Sequence, residues 1–112
     1  MIYDLGYWRV VLGNRDKHQE IIQAIYSDMK SKRSKFAALK SSRVYIMKAE
    51  GAAFETWLCV DEFVDEDGRA ENIKAQNEDT LAVNLRKKWE PLIVPGSFKK
   101  ETWTEFMPDI WI

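Results

Sequence analysis

Cysteine, histidine and proline are scarce in this chain, and the first two shortages each close a class of chemistry. The single cysteine, Cys59, cannot form an internal disulfide. Set between Leu58 and Val60, it reads as a buried, inert thiol of a reducing compartment. With His18 the only histidine, a zinc site could not be filled without several carboxylates, so no metal is expected. No serine stands in a nucleophile-elbow sequence, which leaves a Ser-His-Asp set without a starting point. Gly6, Gly13, Gly51, Gly68 and Gly96 are too scattered to cradle a phosphate. Asp65, Asp67 and Gly68 have a calcium-loop spacing, but the register fails because its first and last ligands would fall on Phe63 and Lys74.

Long apolar runs and charge of one sign are missing too. No segment approaches a membrane span, and the start lacks a basic region followed by an apolar one, so a cytoplasmic location is expected. A net charge of −1 argues against nucleic acid or a membrane as partner. The basic stretch from Lys30 to Arg43 and the acidic one from Asp61 to Glu71 read as solvated faces.

What is present is a pattern for one domain over residues 1–112. Phe54 to Phe63 alternates β-branched, aromatic and polar residues and reads as a strand apolar on both faces. Leu5 to Leu12 reads as a strand before it, with Trp8, Val10 and Leu12 on one face. Asp16 and Gln19 resemble a capping box for a long helix whose stripe runs Ile22, Ile25, Met29 and Phe36, loosening near Ser31 to Ser34. Arg43 to Ala49 forms a hairpin with the Phe54 strand. The acidic Asp65 to Gly68 turn starts a second helix with the stripe Ile73, Asn77, Leu81 and Leu85, ended by Pro91. Phe98 to Met107 supplies the last strand.

The order βαββαβ folds most simply as a four-stranded antiparallel sheet with both helices on one face, the ferredoxin-like α+β arrangement. With Val10, Leu12, Val44, Ile46, Leu58 and Val60 under the helices, the opposite face would present Tyr7, Arg9, Tyr45, Met47, Trp57, Cys59, Trp103 and Met107. Aromatic residues bury about 150–250 Å² each, so four of them approach the ~800 Å² per partner of a standard interface. A homodimer is therefore expected, with Ile110, Trp111 and Ile112 reaching the partner.

The whole pattern resembles the dimeric α+β-barrel superfamily. Its most specific part is Lys88-Trp89-Glu90-Pro91-Leu92-Ile93-Val94-Pro95-Gly96-Ser97-Phe98 with the strand containing Trp103, similar to small NIPSNAP-like and antibiotic-biosynthesis-monooxygenase-like proteins. The resemblance implies a ligand held between sheet and helices, and it allows two functions. One is binding of a small aromatic or apolar molecule; the other is a cofactor-independent oxygenase in which Trp57 and Asn77 orient an electron-rich substrate. Haem-linked members place a histidine on or near the second helix, and none stands there in this chain, so no cofactor is expected.

From the residues themselves, Tyr7, Arg9, Tyr45, Trp57 and Trp103 are candidates to hold a planar anionic ligand, or equally to pack a dimer. A purely structural dimer is the blandest outcome. Asn77 and Asn84 are candidates to line a pocket from the second helix. His18 could serve as a general base, although Asp16, Lys17, Gln19 and Glu20 around it suggest a solvated helix residue.

Overall fold

The computed structural model describes residues 1–47 and 51–106. Four strands, β1 (Ile2–Val11), β2 (Leu39–Met47), β3 (Phe54–Phe63) and β4 (Lys99–Thr104), form one sheet in the order β2-β3-β1-β4. Every neighbouring pair is antiparallel. β3 spans the bounds its alternation sets, and β1 starts at Ile2 instead of Leu5 because Ile2 and Asp4 still find partners in Phe63 and Asp61. The ferredoxin-like arrangement expected from the order of elements is the one observed, with the helices on one face.

The helical segments are cut shorter than the apolar stripes suggest, each for a local reason. α1 (Arg15–Ser31) stops at Lys32, and Phe36 instead sits in the turns that follow. There Arg33 donates from its guanidinium to the carbonyls of Phe36 at 2.8 Å and Leu39 at 2.5 Å, satisfying oxygens that a continuing helix would have bonded. β2 consequently begins at Leu39 instead of Arg43.

The second helix is two, α2 (Glu66–Glu78) and α3 (Thr80–Trp89), broken at Asp79. Asp79 adopts extended backbone and its Oδ1 accepts from the Ala82 amide at 2.9 Å, capping α3. The break turns the stripe: Leu85 is buried, whereas Asn77 and Leu81 are exposed. Pro91 lies in a single 3-10 turn, Glu90–Leu92, that closes α3 as its missing amide requires. Gly96, at φ +75°, allows the turn that brings the chain back into β4.

Cross-strand register reverses the faces expected for β3. Trp8 stands opposite Trp57 and Val44 opposite Cys59, so Trp57 and Cys59 belong with Trp8, Val10 and Val44 beneath the helices. Leu58 and Val60 face outward with Tyr7, Arg9 and Tyr45. Leu12, expected under the helices, leaves the sheet in a 3-10 turn and is half exposed. Met107, the 108–112 segment and the end of the β2 strand at Ala49 lie outside the described residues. No described helix is long and apolar enough to cross a membrane.

Candidate functional site

The helix-facing side of the sheet is apolar at its two ends and not between them. At one end Trp8, Val10 and Trp57 form a buried cluster; at the other Phe36, Leu39 and Phe63 are buried. Between lie Asp4 and Gly6 of β1, Ser42 of β2, and Cys59 and Asp61 of β3, all small or polar. Side chains this short do not fill the space beneath the helices, and a cavity of about 530 Å³ remains. Its other walls are mostly apolar: Ile22, Ile25 and Met29 of α1, Trp89 of α3, then Ile93 and Phe98. Interiors pack to crystal-like density and seldom keep voids beyond a water molecule, while ligand sites run about 300–1,000 Å³.

The polar part of the wall is a connected set of hydrogen bonds. The Ser42 hydroxyl donates to Oδ1 of Asp61 at 2.5 Å and meets the Tyr26 hydroxyl at 2.6 Å. Tyr26 also lies 3.2 Å from the Cys59 sulfur, which points to the same Asp61 oxygen at 3.5 Å. Burial pushes the Cys59 thiol up to about 11, so it stays protonated and unreactive at neutral pH. Burial likewise raises Tyr26 and, with the charge of Asp4 adding to it, Asp61. Across the strands from Asp61, Asp4 is held by the Arg69 Nε at 2.8 and 2.9 Å, by Thr102 at 2.8 Å and by Lys100 at 3.5 Å. Asp28 completes the lining from α1, its Oδ1 2.7 Å from Lys32 Nζ.

His18, expected to be solvated, is fully buried. Its Nε2 accepts from the indole of Trp8 at 2.8 Å and that of Trp89 at 3.1 Å, and its ring meets Trp57 edge-on at 4.5 Å between centroids. Two donors on Nε2 place the proton on Nδ1, which has no partner among the described residues. Burial lowers its pKa to about 4. The arrangement ties α1, α3 and β1 together and leaves no lone pair for proton transfer.

The structure separates the other residues singled out by sequence. Tyr7, Arg9, Tyr45 and Trp103 share the outer face of the sheet, away from the cavity, with the Arg9 guanidinium 4.8 Å above the Phe54 ring. Trp57 is buried on the inner face beside the cavity but does not line it, and its Nε1 has no partner among the described residues. Asn77 lies on the surface, where its side-chain oxygen accepts from Arg86 at 3.1 Å, and Asn84 is exposed. Sequence reasoning missed Tyr26, Asp28, Ser42 and Asp61. Their available signal was a polar residue at an inward strand position or beside the apolar stripe of α1.

No protein-family model matches the chain, and no curated protein is detectably similar to it. Solved structures do match over nearly its full length. A NIPSNAP family protein from Agrobacterium tumefaciens superimposes with a TM-score of 0.66 at 15% identity, covering 94% of this chain and 87% of its own. An antibiotic biosynthesis monooxygenase gives 0.68 at 8% identity, covering 94% and 98%. A cofactor-independent oxygenase from Streptomyces nogalater gives 0.56 at 9%, covering 94% and 93%. The chain therefore has the ferredoxin-like α+β fold that the NIPSNAP family and monooxygenase structures have.

Proposed function

We propose that this protein is a small homodimeric α+β-barrel protein that binds a small, largely apolar molecule between its sheet and its helices. The observation that carries the reading is the cavity of about 530 Å³, walled by Trp8, Ile22, Ile25, Met29, Trp89 and Phe98 and open to one set of polar groups. Packed interiors seldom keep a space of that size, so an occupant is its simplest purpose.

The dimer rests on the outer face of the sheet. Tyr45, Met47 and Trp103 are 49, 59 and 56% exposed there, and Leu5, Tyr7, Leu58 and Val60 are only partly covered. A second copy supplies the same apolar surface in return.

One of the similar folds is named a monooxygenase and another a cofactor-independent oxygenase, and such chemistry here would need the same cavity. Trp57 and Asn77 stand apart, one in the core and one on the surface, so oxygen chemistry here would fall to other residues of the wall.

Titration with 2-naphthylmethanol, followed by quenching of the tryptophan fluorescence from Trp8 and Trp89, tests the binding reading. Saturable quenching is expected, weakened at least tenfold by Ala82→Phe, which fills the cavity from α3. Equal binding by the filled variant would reject the site.

A further inference from the structure

The cavity's polar groups are not a random sample of the surface. Four carboxylates line it, those of Asp4, Asp28, Asp61 and Glu90, against the cations Arg86 and Lys100. Asp4 is satisfied by Arg69, Thr102 and Lys100, and Arg86 donates to Asn77, so these groups are already engaged. Glu90 is exposed.

Asp28 and Asp61 differ from them. Asp28 is 7% exposed; Lys32 takes its Oδ1, while its Oδ2 is fully enclosed and meets no donor among the described residues. A buried carboxylate oxygen without a hydrogen bond keeps its desolvation cost, which a matching donor would recover. Asp61 has its Oδ1 occupied by Ser42 and Cys59, while among the described residues its other oxygen meets no hydrogen-bond donor and no cation lies within ion-pair distance. Burial raises its pKa, and the Ser42 and Cys59 hydrogen bonds and the charge of Lys100 offset this only in part.

The remaining walls suit the same partner. Trp8, Tyr26, Trp89 and Phe98 line this cavity, and Trp89 meets Trp8 and Phe98 edge to face at 5.2 and 5.7 Å between centroids, an aromatic cluster forming part of its wall. Aromatic faces attract cations through the ring quadrupole, most strongly where water is excluded.

Resting on the binding reading above, we infer that the ligand is an apolar amine, its hydrocarbon or aromatic body among Ile22, Ile25, Met29 and Ile93 and its ammonium group donating to Asp61 and Asp28. Three probes with one naphthalene body separate this from simple apolar binding: 2-naphthylmethylamine, 2-naphthylmethanol and 2-naphthoate, each titrated calorimetrically at pH 7. The amine is expected to bind at least tenfold tighter than the alcohol, and the naphthoate weakest. Asp61→Asn should bring amine and alcohol within threefold of each other by weakening the amine.

An alcohol or naphthoate that binds as tightly as the amine would overturn the inference and leave the cavity reading standing. Failure of all three to bind would overturn both. The wild-type series decides the matter even if the Asp61 variant does not fold.

Discussion

At the scale of single residues, His18 shows how far burial can override a charged neighbourhood. Its place in the sequence held the clue, because His18, Ile22, Ile25 and Met29 follow one helical stripe, but the four polar residues beside it pointed to water. The consequence is a pH dependence of known sign. Its pKa is lowered from 6.5 to about 4 in the folded chain, so between those values the unfolded state takes up a proton that the folded state refuses. Stability is therefore lost as pH falls through that window, by about 2 kcal/mol between pH 7 and pH 5. Thermal melts followed by circular dichroism should show this drop in the wild type. In His18→Gln, whose side-chain oxygen can still accept from an indole, the drop between the two pH values should shrink by most of that amount. An unchanged drop in the variant would assign the effect elsewhere.

At the scale of elements, β3 was legible, as were the start of the second helix at Asp65 and its end at Pro91, but the helix break between them and the end of α1 were not. β3 could be bounded from its alternation alone, since period two and β-branched residues are local signals. Which of its faces is inward could not, because both carry apolar residues and only the pairing of Trp8 with Trp57 decides it. Asp79 was invisible as a helix break for a related reason: beside its cap, it is held by Lys32 and Lys35, which reach it from the far end of α1 and the turn after it at 3.2 and 3.1 Å. The Ala82 amide first, then Lys35 and Lys32, hold its carboxyl well below the usual range. Its stabilising contribution is thus present above the ordinary aspartate pKa and is lost only as pH falls below it. Asp79→Ala should cost about 1–2 kcal/mol from the cap alone in urea unfolding at pH 7. Asp79→Asn, which keeps the cap and loses the ion pairs, should cost less. An asparagine variant as damaged as the alanine one would shift the weight from the cap to the lysines.

At the scale of the whole molecule, the fold followed from the order of elements, and the cavity did not. Ser42, Cys59 and Asp61 look like ordinary variation along their strands; only the assembled sheet shows that they coincide with Asp4 and Gly6 to leave a gap between two apolar clusters. The outer face makes an equally global claim. Light scattering at 10 µM should give twice the 13.1 kDa chain mass, and the pair Tyr45→Lys and Trp103→Lys, both on exposed outer positions, should give a folded single chain. A single chain for the wild type would remove the dimer.

The two surfaces compete as the place where a ligand sits, and a nitrogen–proton correlation spectrum recorded during titration with 2-naphthylmethanol separates them. The account predicts shifts concentrated at Ile22, Met29, Val44, Trp89 and Phe98, which line the cavity. Shifts concentrated instead at Leu5, Tyr7, Tyr45 and Leu58 on the outer face, or none at saturating ligand, would contradict it.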